Sequence, residues 1–226
     1  MISFKNVYKY YPYNSGKRSV LNNINFNIKH GDDTAILGRN GAGKSTLFRL
    51  ISGTESCDRG EIYRDGMISW PLGFSGGFHG SLSGRENVRF VARIYGQDTR
   101  KIFNFVDEFS ELDSYIDMPV KSYSSGMKAR LAFGLSMAID FDFYLIDEVI
   151  AVGDTAFKKK CKRILNEKRQ SSTVILVSHS NSMLKQFCKK GAVLDRGELI
   201  LFDNIEEAIS VHEANQKKLE VKAYEA

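Results

Sequence analysis

Gly38-Arg39-Asn40-Gly41-Ala42-Gly43-Lys44-Ser45-Thr46 is the stretch on which the reading of this chain turns. It fits G-x-x-x-x-G-K-S/T, the phosphate-binding P-loop. Thr34-Ala35-Ile36-Leu37 before it reads as a buried strand, and Leu47-Phe48-Arg49-Leu50-Ile51 after it as the opening of a helix. Strand, loop and helix in that order are the setting the motif requires. Glycines at 38, 41 and 43 let the backbone wrap closely and aim N–H groups inward. The helix N-terminus adds partial positive charge where phosphates would sit. In this reading Lys44 reaches the β- and γ-phosphates and Ser45 offers its hydroxyl to Mg²⁺. The alternative is an ordinary glycine-rich turn with a surface lysine, and motif and setting together argue against it.

Further out, the next informative places are strand ends. Phe141-Asp142-Phe143-Tyr144-Leu145-Ile146 reads as a buried strand that delivers Asp147 and Glu148 at its C-terminal end. That is where α/β sheets keep their chemistry. Asp147 is a candidate Mg²⁺ ligand, and Glu148 a candidate base to deprotonate a water in line with the γ-phosphate. Thr173-Val174-Ile175-Leu176-Val177 is a second buried strand, ending at Ser178-His179-Ser180. A strand-end histidine is usually a plain surface group, but in this sheet His179 falls near the γ-phosphate. Tyr123-Ser124-Ser125-Gly126 precedes a helical stretch from Met127 to Ile139, and such a start offers N–H groups to an anion. Alone this is weak, because serine N-caps are common.

Composition bounds the rest. The chain has 226 residues, 42% hydrophobic and 26% charged, with a net charge of +5. That supports a real core in one large or two small domains. The mild basic excess is too small to argue for nucleic acid by itself. No run approaches the ~18 apolar residues of a membrane span. The N-terminus lacks the layout of a signal peptide. Cys57, Cys161 and Cys188 form no C-x-x-C pair and suit a reducing compartment.

The remaining segments read in chain order. Residues 2–7 and 20–28 alternate as two antiparallel strands, with Tyr8, Tyr10, Tyr11 and Tyr13 between them. Glu61–Arg64 is a short strand. Residues 71–84 carry Leu72, Phe74, Phe78 and Leu82 among six glycines and prolines, which points either to a partner surface or to a loop folded on its own domain. Helices are expected from Arg85 to about Tyr95, with Arg85, Arg89 and Arg93 on one face, and from Thr99 to Phe109. That arginine face is either solvated or a dock for an acidic partner. A helix follows at 155–170, another at 181–189, then a hairpin around Arg196-Gly197. Asp203 with Glu206 resembles a capping box for a last helix, with a polar, frayed end from Gln216.

Taken together, GRNGAGKST (38–46), YSSGM (123–127) and YLIDE (144–148) resemble Walker A, the family signature and Walker B of an ABC transporter nucleotide-binding subunit. Asp154 falls where the D-loop aspartate belongs and His179 where the switch histidine belongs. The combination is specific where Walker A alone is not. The resemblance implies that Tyr11, or Tyr13 nearby, stacks on adenine, and that Gly38, Arg39, Asn40, Gly41, Ala42, Gly43, Lys44, Ser45 and Thr46 bind ATP. It implies catalytic roles for Glu148, His179 and Lys44, with Ser45 and Asp147 at the metal. ATP would be sandwiched in a head-to-tail pair, contacted across the interface by the signature Ser124, Ser125, Gly126 and Met127. Ser125 and Met127 depart from the usual LSGGQ. The loop at 71–82 lacks the family's glutamine; Gly73 to Ser75 is its expected place and His79 the nearest polar substitute.

The stretches at 69–96, 123–138 and 146–154 look like the ATPases of bacterial capsular polysaccharide exporters. The resemblance implies an ATP-hydrolysing subunit on the cytoplasmic face of the inner membrane. Its partners would be an integral membrane permease, a second copy of itself, and periplasmic and outer-membrane export components, with no nucleic acid. Other polysaccharide exporters (O-antigen or teichoic acid), a soluble ABC-type ATPase acting on ribosomes or DNA, and a P-loop kinase are the alternatives. The related O-antigen exporters can carry an extra carbohydrate-binding domain, for which this chain is expected to be too short. The fold expected is α/β: a P-loop core with an antiparallel β subdomain over 1–70 and 136–226, and a mainly helical subdomain over 71–135.

Overall fold

In the computed structural model, residues 1–14, 16–72, 77–147 and 154–224 are described, with side chains as far as Lys218. The elements in chain order are β1 (Ile2–Tyr13), β2 (Gly16–Ile28), β3 (Thr34–Leu37), α1 (Lys44–Ser52), β4 (Arg59–Arg64), α2 (Gly84–Ile94) and α3 (Thr99–Ser110). They continue with α4 (Ser125–Ala138), β5 (Phe143–Asp147), α5 (Thr155–Lys168), β6 (Thr173–Val177), α6 (Asn181–Phe187), β7 (Lys190–Asp195), β8 (Glu198–Phe202) and α7 (Ile205–Tyr224). Contacts divide the chain into two units. One holds Met1–Ile68, Asp142–Glu148 and Ser172–Ala226; the other holds Ser69–Phe141 and Val149–Ser171. The helix α5, read from sequence with the α/β core, groups instead with the helical unit, where Phe157 meets Phe109 edge to face with ring centroids 5.4 Å apart.

In the first unit a five-stranded sheet runs β5-β6-β3-β7-β8, parallel except for the β8 edge. Thr34 to Leu37 are buried along their whole length, as a continuous apolar strand between two parallel neighbours requires. The antiparallel sheet β2-β1-β4 lies in the same unit. Its strands are longer than simple alternation predicts, because β-bulges carry them past each break in the pattern. Asn6 and Asn23 sit at these register shifts with φ of 47° and 53°. Ile2, Phe4, Leu21 and Phe26 join Ile36, Phe48, Leu145 and Ile175 in one core.

The ends of the elements have local causes. Gly53, at φ 77°, caps the C-terminus of α1, and the Arg64 guanidinium donates to the carbonyls of Leu50 and Ile51 there. The last helix is capped by Asn204, whose Oδ1 accepts from Glu206 N at 2.8 Å. Asp203 is not the cap; its carboxylate faces Lys190. Nor does the chain fray at Gln216: α7 continues to Tyr224. Its first turns bury Ile205, Ala208 and Ile209 against β7, where Gly191 leaves only enough room for Ala208.

A charged knot ties β1 to the segment after α1. Glu55 accepts from Lys9, Arg49 and the Tyr11 hydroxyl, the last at 2.7 and 2.8 Å. Burial alone would raise the Glu55 carboxyl, but these three donors outweigh it and hold the group at about 2 against an ordinary 4.5.

The second unit is helical. Ser83 and Glu86 form a capping box at α2. The buried Asn87 accepts from His79 N and donates to the carbonyls of His79, Leu82 and Ser83, so residues 79–83 fold back on α2. Leu72 is buried, and Phe78 and Leu82 are half-buried. The described part of the apolar loop thus packs on its own unit. Residues 73–76, with the expected glutamine position, lie outside the described residues. Arg85 leaves the expected arginine face to pair with Asp117 and stack on Phe103 at 4.1 Å; Arg89 and Arg93 remain exposed.

A Cβ added at Gly191 would stand 2.4 Å from that of Ala208. Gly191→Ala is therefore expected to cost about 1–3 kcal/mol, read from urea unfolding; an unchanged midpoint would mean that α7 is not seated there. Glu55 has its carboxyl lowered on folding, so the knot contributes stability above the ordinary value of 4.5, and that contribution is lost as pH falls toward 2. Wild type and Glu55→Gln are expected to differ most at neutral pH and to converge over that window in urea titrations.

Candidate nucleotide site

The site forms where three parallel strands end together. Gly38 follows β3, Asp147 closes β5, and His179 lies two residues past β6. Pairing of Asp147 with Val177 brings the second and third of these side by side. The C-terminal edge of such a sheet is the usual place for ligand chemistry.

The loop between β3 and α1 is shaped by its glycines. A Cβ at Gly38 would lie 2.6 Å from the Leu194 carbonyl oxygen, so only glycine passes. Gly41 and Gly43 have φ of 79° and 109°, and Gly43 is the N-cap of α1. Ala42 N closes the turn onto Arg39 O at 3.0 Å. Lys44 Nζ donates to the carbonyls of Gly38 and Arg39 at 2.6 and 2.9 Å, which holds the ammonium inside the rim of the loop. Ser45 is exposed and Thr46 is buried.

A cleft of about 710 Å³ opens over this loop. Tyr11, Tyr13, Asn40, Gly41, Gly43, Lys44, Ser45, Thr46, Asp147 and His179 line it, together with Pro12, Arg18, Val20 and Val177. It has the volume of a small-molecule site, one aromatic end and a cationic end. The glycine cradle, the open end of α1 and the Lys44 ammonium fit a polyphosphate chain. Tyr11, expected to stack on adenine, has its hydroxyl tied to Glu55 and accepts from Arg49 at 2.9 Å. Tyr13, 60% exposed, is the freer ring at that end. Arg18 on β2 and Glu55 after α1 escaped the sequence reading because no motif spacing marks them, and nothing in the helix pattern showed that Arg49 of α1 bonds to Tyr11.

The signature residues belong to the second unit. Ser124 caps α4, its Oγ accepting from Met127 N at 3.2 Å, and Ser125, Gly126 and Met127 form the first turn. Tyr123 is buried, donating to Tyr115 O at 2.6 Å. Asp154 caps α5 through Phe157 N at 2.9 Å and pairs with Arg130 of α4 at 3.1 Å. The Phe157 N–H, then the Ala156 N–H and the Arg130 charge, hold its carboxyl below the ordinary range against a smaller cost of burial. Arg130 also reaches Glu111 and lies over the Phe157 ring, so it joins the signature helix to Asp154. Only its place three residues past Met127 hinted at this. Residues 148–153, Glu148 among them, lie outside the described residues. No described helix is long and apolar enough to cross a membrane.

Comparison with known proteins agrees with this geometry. Residues 21–151 match the family model described as ABC transporter. The chain is 55% identical over 208 residues to the capsule polysaccharide export ATP-binding protein CtrD of Neisseria meningitidis, covering 92% of this chain and 96% of that one. It is 50% identical over 213 residues to the polysialic acid transport ATP-binding protein KpsT of Escherichia coli, covering 93% and 97%. The fold matches that of the dimeric ATP-binding cassette MJ0796 bound to ADP and Pi, with a TM-score of 0.77 at 23% identity, over 89% of this chain and 98% of that one. The α/β class with antiparallel and helical portions read from sequence is thus the observed one. With the P-loop and Asp147 inside the matched segment and relatives aligned almost end to end, the chain belongs to the ABC transporter family, as one of its ATP-hydrolysing ATP-binding proteins.

Proposed function

We propose that this chain powers export of a capsular polysaccharide, a lipid-linked acidic glycan, across the bacterial inner membrane, working with a separate permease. The observation that carries the cargo is the near end-to-end match, at 50–55% identity, to ATP-binding proteins of capsule polysaccharide export and polysialic acid transport. The two units together act as one nucleotide-binding domain, held peripherally at the cytoplasmic face.

ATP is the substrate of the cleft. Tyr13 or Tyr11 meets the base, and residues 38–46 wrap the phosphates. Ser45 and Asp147 are the residues that would hold Mg²⁺, whose few protein ligands and preference for phosphate oxygens suit one hydroxyl and one carboxylate. When bound, the ion neutralises charge on the β- and γ-phosphates. Lys44 adds positive charge at the same oxygens. Glu148, next after Asp147, is the general base for the attacking water, and His179 holds water and γ-phosphate in register. The first-turn N–H groups of α4, at Ser124 to Met127, serve the γ-phosphate of a second copy in a head-to-tail pair. Asp154 acts at the same interface.

For the permease, the supporting feature is an apolar patch on α2. Phe90 and Ile94 are 58% and 62% exposed beside Arg89 and Arg93. Large apolar groups rimmed by charge mark a docking surface. Periplasmic and outer-membrane export components complete the pathway on the far side.

Expressed in a capsule-forming cell that lacks its own ATP-binding subunit, the wild-type chain is expected to restore surface polysaccharide. Glu148→Gln is expected not to, and, purified with its permease, to trap a nucleotide-filled pair while turnover falls about 10²–10⁴-fold. Normal turnover without restored capsule would overturn the cargo assignment, and full turnover in Glu148→Gln would overturn the catalytic one. Phe90→Asp combined with Ile94→Asp is expected to abolish co-purification with the permease while nucleotide binding persists; intact co-purification would remove α2 from the interface.

A further inference from the structure

A second cavity, of about 180 Å³, lies behind the P-loop. Lys44, His179 and Gly38 form one side of it, and His212, Glu213 and Gln216 of α7 the other. Asn181 Nδ2 donates to Glu213 Oε1 at 2.9 Å, and His212 and Gln216 bond to each other at 3.1 Å. The imidazole of His212 is pushed below its ordinary range, by burial first and then by the neighbouring Lys44 and His179 charges. So α7 stands directly behind the two residues assigned to the γ-phosphate.

The His179 side chain is exposed, in a three-residue turn between β6 and α6. The turn is internally held by Ser180 N donating to Ser178 Oγ at 3.1 Å. Beyond it, α6 is anchored by the buried Leu184 and Phe187. The start of α6 is tied sideways by the Asn181–Glu213 bond. The other end of that tie is firm, because Ala208, little more than one turn before Glu213, is wedged against Gly191. A side chain that must be placed to within a fraction of an ångström is best held by a packed helix.

We propose that Glu213 is a positioning residue for hydrolysis: through Asn181 it fixes the turn that carries His179, making α7 the back wall of the γ-phosphate site. This rests on the role given to His179 above. Because Glu213 and Asn181 are exposed, the fold tolerates their loss, and neither touches the cleft where ATP binds. The effect therefore falls on kcat and leaves KM.

The test is steady-state ATP hydrolysis by the full chain with its permease. Glu213→Ala and Asn181→Ala are each expected to lower kcat about fivefold to tenfold with KM for ATP changed less than about twofold. The double variant is expected to be no worse than either single one, since both remove the same bond. Glu213→Gln keeps the accepting oxygen and is expected to recover most of the rate. If His179→Ala is inactive while Glu213→Ala and Asn181→Ala turn over at the wild-type rate, this proposal falls and the role of His179 stands. If His179→Ala itself turns over normally, both fall. Losses that add in the double variant, or that Gln does not recover, would show a merely structural effect and overturn it.

Discussion

The Leu194 carbonyl oxygen sets the path of the P-loop. It stands where a side chain at residue 38 would have to go. Because β3 is the central strand, with β6 on one side and β7 on the other, the chain leaving it must turn tightly over a neighbour's backbone. Glycine at 38 permits that turn, and positive φ at 41 and 43 completes it. The end of α1 is thereby aimed along the strand ends, where Asp147 and His179 also arrive. Buried strands on both sides of β3 keep that geometry rigid, since a shift in register would move every residue of the site at once.

Charge within the first unit is arranged with the same economy. Lys44 is held by two loop carbonyls, which direct its ammonium to the rim of the loop. Preorganisation of this kind is what gives electrostatic stabilisation its size. At the aromatic end the order is reversed. Glu55, Lys9 and Arg49 form an ion cluster around the Tyr11 hydroxyl, which fixes the ring by its polar tip. That leaves Tyr13, whose ring is mostly exposed, as the more adaptable face for a base.

Much of this was legible in the residues. The P-loop, the two apolar strands ending in Asp147 and at His179, and the helices around them follow from periodicity and from turn chemistry. What was not legible has physical causes. Bulges at Asn6 and Asn23 carry β1 and β2 through stretches where alternation breaks, so the strands run longer than their pattern. Asp203 and Asn204 are both good caps, and local sequence cannot say which one the hairpin leaves at the right angle. Polar residues after Gln216 look frayed, yet few of them break a helix, and α7 runs on from a base fixed by packing. Long-range partners are the hardest. Nothing in the spacing of Arg85, Arg89 and Arg93 shows that one of them turns inward to Asp117.

The signature's departures from its usual form can now be weighed. Anion binding at a helix start depends on backbone N–H groups, not on side chains. Ser125 has helical backbone as the first residue of α4, a conformation that needs no glycine. Met127 contributes its N–H to the Ser124 cap whatever its side chain is. Neither substitution therefore changes the donors. Tyr123 is different, because its hydroxyl reaches Tyr115 O, and the ring fits only because Gly84 lacks a side chain: a Cβ there would come within 2.5 Å of that hydroxyl. Tyr123 thus fastens the start of α4 to its own unit, and that start retains its N–H donors.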